Sequence, residues 1–142
     1  MGRSAQIDRR ARERHAVLLI DHGSRRAQAN ALLDEVAALV KDRLGAESIV
    51  EPAHMEIAEP TIAAGVARCV EQGATRVIVH PFMLAPGRHV TEDLPRLIAE
   101  AASLHQGVTF AMAAPLGSHA GVIDAVVERC QSALADVEPS GR

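Results

Sequence analysis

Aromatic residues are almost absent from this chain of 142 residues, which contains two Phe, no Tyr and no Trp. Proteins that bind single-stranded nucleic acids stack the bases on aromatic side chains. A net charge of −3 also supplies no general basic field for a polyanion. The composition therefore excludes nucleic acid as an expected partner, and the core has to be built from Ala, Val, Leu and Ile.

Long apolar runs and clustered cysteines are missing as well. No run approaches the roughly 20 residues of a membrane span, and no apolar segment suited to a secretory signal precedes residue 16. Cys69 and Cys130 lie in separate helical patterns, so they form neither a disulfide framework nor a cluster motif. We expect both thiols to be small buried side chains, and we expect a soluble, cytoplasmic protein without a membrane partner.

The length predicts a single domain. Residues 1–15 carry five Arg against one Asp and one Glu, which predicts a basic, disordered leader; a docking arm or a targeting signal is the alternative. Residues 16–137 are predicted to form one α/β domain, and residues 138–142 a frayed tail.

Strand and helix patterns alternate four times along the domain. The predicted strands are 16–21, 47–55, 76–82 and 108–114, and the predicted helices are 26–44, 59–72, a third that starts between 91 and 94, and a fourth that starts near 118. Such alternation is typical of βαβ units with a parallel sheet, and right-handed crossovers place helices on both faces. The prediction is an open, doubly wound sheet of four parallel strands.

Several details of the helices follow from single residues. Pro60 and Pro95 are predicted in the first turns of the second and third helices, where proline is tolerated. Ser118 is predicted to cap the last helix. The buried face of that helix is predicted to comprise Val122, Ile123, Val126, Val127, Cys130 and Leu134.

Two histidines follow predicted strands. His22 lies in Asp21-His22-Gly23-Ser24-Arg25, and His89 lies in Pro86-Gly87-Arg88-His89. Ligands of open α/β sheets bind outside the carboxyl ends of the strands, and Glu56 leaves the second strand at the same edge. Two imidazoles and a carboxylate with an open coordination position suit a divalent first-row metal that is exchanged.

Nearby residues suit an acidic ligand. Gly23-Ser24-Arg25 is similar to an anion cradle at a helix start, and Arg25, Arg26 and Arg88 can bind carboxylates bidentately. The glycine fingerprint of a nucleotide site is missing. The pattern predicts a small enzyme that handles an acidic substrate.

The other histidines are less informative. His54, His80 and His119 lie at or near strand ends, where a structural role is the more frequent one, and the sequence leaves the roles of His54 and His119 open. His15 and His105 are expected to be solvated.

Several motifs, in order, resemble one known family, the small class II chelatases of the sirohydrochlorin type (short-form CbiX cobaltochelatases and SirB ferrochelatases). The resemblance covers roughly residues 16–135. It is carried by His22-Gly23-Ser24-Arg25, by the segments 51–60 and 81–95, and by Ala114-Pro115-Leu116-Gly117-Ser118-His119.

The resemblance implies a flavodoxin-like parallel sheet that works as a homodimer, each subunit corresponding to one half of the longer chelatases. It implies insertion of Co²⁺ or Fe²⁺, with Ni²⁺ as a further candidate, into sirohydrochlorin during cobalamin or siroheme synthesis, without nucleotide or bound cofactor. The family's metal-handling histidines match His22 and His89, and a family glutamate matches Glu56. Ser24, Arg25 and Arg88 are the candidates for the substrate's carboxylates. The cysteine-rich extension of some plant relatives is missing, so no iron–sulfur cluster is expected.

Two other functions remain open at this point. A metal or tetrapyrrole carrier would use the same residues without turnover. A histidine phosphatase would also place His22-Gly23 after a strand, but the acidic Asp21 before His22 would repel phosphate.

Overall fold

The computed structural model describes residues 13–137, so residues 1–12 of the predicted leader and the predicted tail lie outside the described part. The elements alternate as predicted. In chain order they are β1 (His15–Asp21), α1 (Ala27–Leu44), β2 (Ile49–His54), α2 (Ile62–Glu71), β3 (Arg76–Pro81), α3 (Arg88–Ala102), β4 (Thr109–Met112) and α4 (Ala120–Val137).

The four strands form one sheet in the order β2-β1-β3-β4, and every neighbouring pair is parallel. The α/β prediction with a four-stranded parallel sheet is thus confirmed. Since all strands run in the same direction, the loops that leave their carboxyl ends gather at one edge.

Helices cover both faces of the sheet, and each face has its own apolar layer. On one face, α1 contributes Leu33 and Ala37, which pack with Leu19 and Val50. On the other face, α2 and α3 pack over a larger layer built mostly from β-branched and leucine side chains. Its fully buried members include Leu18, Ile20, Val66, Cys69, Val77, Val79 and Val90.

Close approach of α2 to the sheet depends on Gly65. A Cβ at this position would lie 2.8 Å from Leu18 Cδ1 and 2.9 Å from the Cβ of Ala53. Such distances are shorter than real contacts, so a larger side chain would push the helix off the sheet. The absence of a side chain here fixes the depth at which α2 packs.

The chain enters the fold slightly earlier than predicted. β1 begins at His15, and the Arg14 guanidinium donates to the carbonyl of Gln72 at 2.8 Å and to that of Glu47 at 3.1 Å. Arg14 and His15 therefore belong to the folded domain. Within residues 13–137, no helix is long and apolar enough to cross a membrane.

Both proline predictions are wrong. Pro60 precedes α2, which begins at Ile62 and is capped by Thr61, because the Pro60 carbonyl accepts a hydrogen bond from the amide of His54 at 2.8 Å. Pro95 lies well inside α3, which begins at Arg88. Pro95 is exposed, so solvent can satisfy the carbonyl that loses its usual donor.

The last helix differs most from the sequence prediction. No residue of α4 is buried, and Ile123, Val126, Val127 and Leu134 are each at least 50% exposed. Cys130 is likewise exposed, whereas Cys69 is buried as expected. The prediction of a helix is confirmed, but the predicted buried face and the predicted burial of Cys130 are wrong for residues 13–137.

The N-terminal cap of α4 also differs. The ring Nδ1 of His119 accepts a hydrogen bond from the amide of Gly121 at 2.9 Å, so His119 has the capping role that the sequence assigned to Ser118. Because Nδ1 is the acceptor, its lone pair is engaged in the cap.

Candidate functional site

His22 and Glu56 are neighbours at the carboxyl edge of the sheet. The pairing of β1 with β2 continues beyond the strands, because the Met55 amide donates to the Asp21 carbonyl at 2.9 Å and the Glu56 amide donates to the His22 carbonyl at 3.1 Å. Both His22 and Glu56 are exposed. The backbone thus holds the two residues in adjoining loops, and each side chain has access to solvent.

A glycine makes this close approach possible. Gly23 has φ +89°, a conformation that side chains with a Cβ rarely adopt. An added Cβ would lie 1.9 Å from the Glu56 carbonyl oxygen. The Gly23 amide also donates to Asp21 Oδ1 at 3.0 Å. The turn after His22 is therefore held against the loop that carries Glu56.

A buried pair lies beneath these two loops. His54 is 1% exposed, and its Nδ1 is 2.5 Å from Asp21 Oδ1. A carboxylate only accepts hydrogen bonds, so Nδ1 carries the proton. The pair joins the ends of β1 and β2, which gives His54 the structural role that the sequence had left open.

Sequence reasoning missed Asp21 as the partner of His54. The signal was present in the strand register, since Asp21 and His54 are directly opposite each other in the β1–β2 pairing. That register is visible only once the strands have been aligned.

Ser24 is held in place by Asn30. The Ser24 amide donates to Asn30 Oδ1 at 2.9 Å, and the Asn30 side-chain amide donates to the Ser24 carbonyl at 2.7 Å. The Ser24 hydroxyl oxygen accepts from the Arg26 amide at 3.0 Å. Of the predicted anion cradle, the Ser24 amide is therefore already used, but the hydroxyl keeps its own proton for donation.

A polar depression of about 460 Å³ adjoins this loop. Ser24 and Arg25 form one side of it, and residues 57–59 form the other. The Arg25 side chain is exposed, so its guanidinium is accessible to a ligand in the depression.

Arg88 and His89 occupy the first turn of α3, and not a loop as predicted. His89 Nδ1 is 2.9 Å from Asp93 Oδ2, and Arg88 Nε is 3.0 Å from Glu92 Oε1. Each basic side chain is thus paired with a carboxylate one helical turn later. A carboxylate on one ring nitrogen orients a histidine so that the other nitrogen can bind a metal.

The three predicted metal-handling residues share an edge of the sheet but form no compact cluster. The loop after β3 joins this edge, because the Phe82 amide donates to the Ile20 carbonyl at 2.7 Å. Within residues 13–137, no three His, Cys, Asp or Glu side chains are grouped closely enough to hold a metal ion. The edge therefore offers an open set of donors, with His22 and Glu56 in adjoining loops and His89 on a separate helix.

Apolar residues adjoin the polar ones. The Leu116 amide donates to the Met83 carbonyl at 3.0 Å, and the Gly117 amide donates to the Leu84 carbonyl at 2.7 Å. This contact joins the turn after β4 to the loop after β3. Leu84 is 60% exposed and gives the edge an apolar surface.

His80 lies below that loop and is structural. Burial lowers the pKa of His80 from its ordinary 6.5, while a hydrogen bond to the Ala114 backbone opposes this effect. The His80 ring meets Phe82 edge-on with centroids 6.5 Å apart. The neutral imidazole thus fills space between β3 and the turn after β4.

Comparisons of this chain with a family model and with individual known proteins point to the same family. A family model described as CbiX matches residues 16–133. A sirohydrochlorin ferrochelatase, chloroplastic, from Arabidopsis thaliana is 47% identical over 122 residues, which cover 86% of this chain and 54% of that protein. A sirohydrochlorin cobaltochelatase from Methanocaldococcus jannaschii is 47% identical over 83 residues, which cover 58% of this chain and 57% of that protein.

A solved structure agrees with the sequence relatives. The sirohydrochlorin chelatase SirB from Bacillus subtilis subspecies spizizenii, determined in complex with cobalt, superimposes with a TM-score of 0.70 at 33% identity. The match covers 84% of this chain and 50% of SirB. The chain therefore spans about half the length of these relatives.

Proposed function

Because the chain belongs to the CbiX family, we propose that it inserts a divalent metal ion into sirohydrochlorin. The candidate ions are Co²⁺ and Fe²⁺, with Ni²⁺ as a further candidate. The relatives described above are named for this macrocycle, one as a ferrochelatase and one as a cobaltochelatase. The observation that carries the proposal is the exposed pair of His22 and Glu56, whose loops are hydrogen-bonded at the carboxyl edge of the sheet.

Metal insertion makes three demands that these side chains can meet. The ion must lose water, two pyrrole N–H protons must leave, and the four ring nitrogens must reach the metal. Neutral imidazoles bind a first-row ion and also accept protons near neutral pH. His22 and His89 would each hold the incoming ion through a ring nitrogen, and once the ion has passed to the macrocycle the freed nitrogens would take up the two pyrrole protons and release them to solvent. Glu56 would contribute negative charge or a third ligand.

The open arrangement of the donors favours transfer of the ion. A site with four protein ligands stores its metal, whereas a site with few ligands releases it to a tetrapyrrole that offers four nitrogens. His89 Nδ1 faces Asp93, which leaves its Nε2 for the ion. A donor set of this kind would hold the ion only transiently.

The macrocycle itself is flat and carries carboxylates at its rim. Leu84, with Met83 and Leu116 nearby, would contact the apolar ring, and Ser24, Arg25 and Arg88 would bind the carboxylates. In the Arg88–Glu92 ion pair Arg88 is 92% and Glu92 is 63% exposed, so the pair contributes little to stability. Arg88 can therefore exchange Glu92 for a substrate carboxylate at small cost.

We place the protein in the cytoplasm as a homodimer, with each chain acting as one half of a longer chelatase and without a permanent cofactor or an iron–sulfur cluster. The physiological pathway is siroheme or cobalamin synthesis, according to which metal the protein meets. The Irving–Williams order favours Ni²⁺ over Fe²⁺ in such donor sets, so preference in vitro need not match that in the cell.

The test is an anaerobic absorbance assay with catalytic amounts of protein, excess sirohydrochlorin and Co²⁺ or Fe²⁺. A polypeptide does not absorb in the visible bands of the macrocycle, so these bands are read without protein background, and the lack of Trp and Tyr also leaves the region near 280 nm almost free of protein absorbance. Many turnovers per subunit above the spontaneous rate are expected. A spectral change that stops at one equivalent would identify a carrier, and an unchanged spectrum would exclude the substrate.

Two alanine variants test whether the histidines at the carboxyl edge of the sheet carry the activity. We expect His22→Ala and His89→Ala each to lower kcat about 100-fold or more, because loss of a positioned proton acceptor costs about 10²–10⁴ in rate. His15→Ala is the matched control, since His15 is exposed at the opposite, amino end of β1. Equal activities of the His22 and His15 variants would remove His22 from the mechanism.

A further inference from the structure

The imidazole of His54 has one ring nitrogen that the fold does not use. Its Nδ1 is bound to Asp21, whereas no hydrogen bond to Nε2 is formed within residues 13–137. His54 is only 1% exposed, yet the described residues contain no side-chain nitrogen or oxygen that is both fully buried and without a partner. Nε2 therefore reaches the surface, and it does so in the polar depression that His54 lines.

The polar depression has a carboxylate on each of its two sides. Asp34 lies on the face of α1 that also carries Asn30 and Ala31, because residues three and four apart share one side of a helix. Glu59 lies on the opposite side, in the segment after β2. Both carboxylates are exposed, and neither forms an ion pair or a hydrogen bond within residues 13–137.

These groups suit a cation better than an anion. In a neutral imidazole with its proton on Nδ1, Nε2 keeps its lone pair and can only accept, so it offers nothing to a carboxylate or a phosphate. Histidines that bind metal ions are generally oriented in this way, by a carboxylate on the other ring nitrogen. Asp34 and Glu59 against the single guanidinium of Arg25 also give the lining a negative charge.

We propose that the polar depression is an entry site for the divalent metal ion, where His54 Nε2 binds the incoming ion and the carboxylates of Glu59 and Asp34 attract it and bind its water ligands. An imidazole together with carboxylates suits Co²⁺, Fe²⁺ and Ni²⁺. The inference rests on the proposed function, in which such an ion is the substrate, and it adds a site that the ion visits before the three donors of the edge.

The donors of the entry site are too few to store the ion. Within residues 13–137, no three His, Cys, Asp or Glu side chains are grouped closely enough to enclose a metal, so the ion keeps most of its water at His54. A storage site closes the coordination sphere with four protein ligands. An ion that is held by one imidazole leaves readily, as passage to a second site requires.

The entry site adjoins the edge that carries the proposed chemistry. A Cβ on Gly23 would lie 3.3 Å from the Cβ of His54, so His54 packs beneath the turn that follows His22. Glu56 is two residues beyond His54, in the loop that is bonded to His22. Arg25, the proposed partner of a macrocycle carboxylate, lines the same depression. An ion at His54 is therefore next to the edge donors and to the substrate.

Metal binding without the macrocycle tests the site directly. The full chain with His22→Ala and His89→Ala lacks two edge donors. Its binding of Co²⁺ is measured by equilibrium dialysis, and its histidine rings are followed in ¹H–¹⁵N spectra during titration with Zn²⁺. We expect one ion per chain and a shift of the His54 Nε2 signal, while Nδ1 keeps its proton. A His54 ring that stays unchanged at saturating Zn²⁺, or that responds to acetate and not to Zn²⁺, would overturn the proposal.

Matched variants assign the ligands. His54→Asn removes Nε2 but keeps an N–H donor for Asp21, and it should weaken Co²⁺ binding more than about tenfold. Glu59→Gln and Asp34→Asn each remove one exposed charge and should weaken binding by about two- to fivefold. Glu35→Gln removes an equal charge from α1 outside the depression and should leave binding unchanged. Equal effects of Glu35→Gln and Glu59→Gln would mean that only net charge matters, which excludes the site.

Turnover distinguishes an entry role from support of the loops. In the otherwise wild-type protein, His54→Asn should raise KM for Co²⁺ more than about tenfold and leave kcat within about twofold, because an entry site binds the ion before the chemical step. A lower kcat with an unchanged KM would show that His54 only supports the turn after His22, and the entry role would then be wrong.

The entry site and the proposed activity can fail separately. A protein whose His54 binds the ion but which inserts none into sirohydrochlorin would disprove the proposed activity and leave the binding site intact. An active protein whose His54 ring does not respond to the ion would do the reverse.

Discussion

At the scale of single residues, Gly23 decides whether His22 and Glu56 can lie side by side. Gly23→Ala would place a Cβ 1.9 Å from the Glu56 carbonyl oxygen at a φ of +89°. Strain of this kind together with overpacking costs about 2–5 kcal/mol of unfolding free energy, or else the two loops separate. We expect a lower urea midpoint and a loss of metal insertion greater than about tenfold.

Gly87→Ala is the matched control for this prediction. Gly87 precedes α3 in an ordinary extended conformation with φ −70°, and a Cβ there would have no atom within 4 Å. The urea midpoint of Gly87→Ala should stay close to that of the wild type. If both alanine variants behaved alike, the close approach of the two loops would not matter.

His80 makes the stability depend on pH in a defined direction. Burial holds the pKa of His80 below its ordinary 6.5, so the unfolded chain binds a proton at this position more readily than the folded chain. The stability that the neutral His80 side chain contributes is complete above pH 6.5. It is lost as the pH falls through the lower pKa that His80 has in the folded protein. Urea unfolding between about pH 7 and about pH 5 should show a smaller acid loss for His80→Gln than for the wild type. Equal losses would assign the acid sensitivity to other groups.

Residue roles were predictable from the sequence only where they depend on strand order. The edge positions of His22 and Glu56 follow from the rule that parallel strands end together, and the structure places both there. The pairing of His54 with Asp21 needs the strand register. The pairing of His89 with Asp93 could be predicted only if the start of α3 were known. Because α3 begins at Arg88, both residues lie in the helix and their side chains are one helical turn apart.

At the scale of the elements, Thr61 fixes where α2 begins. Its Oγ1 accepts from the Ala64 amide at 3.2 Å, which satisfies one of the free amides at the helix start. We expect Thr61→Ala to lower the unfolding free energy by about 1 kcal/mol, whereas Thr61→Ser retains the oxygen and most of the stability. Urea titrations of both variants measure the difference. An alanine variant as stable as the serine variant would show that the cap contributes nothing.

Helix boundaries were the least predictable feature of the elements. Local preference places proline in first turns, but Pro60 lies before α2, where its carbonyl accepts a hydrogen bond from the amide of His54 at the end of β2. Pro95 is accommodated within α3 because it faces solvent. Tertiary contacts and exposure outweighed local preference in the two cases.

At the scale of the whole molecule, the alternation of patterns was enough to predict the parallel sheet, because right-handed crossovers leave few arrangements for four strands and four helices. The place of α4 was not predictable in the same way. Its periodicity shows that one face is apolar, but periodicity does not identify the surface that this face contacts. An amphipathic helix at the end of a chain is compatible with its own sheet and with that of a second copy.

The homodimer of the proposed function makes the stability of the molecule depend on its concentration. A monomer unfolds at a urea midpoint that does not change on dilution, whereas for a dimer that unfolds to two chains each tenfold dilution removes about 1.4 kcal/mol from the unfolding free energy. With a slope of about 2–3 kcal/mol/M, the urea midpoint should fall by about 0.5 M per tenfold dilution.

Leu134→Asp places a charge on the apolar face of α4 and should lower the midpoint and remove its concentration dependence, because the variant cannot bury that face in a partner. Ser132→Asp, which adds the same charge to α4 at an exposed residue outside its apolar set, should keep the dependence. A wild-type midpoint that stays constant over a hundredfold range of concentration would mean that the fold does not need the second copy.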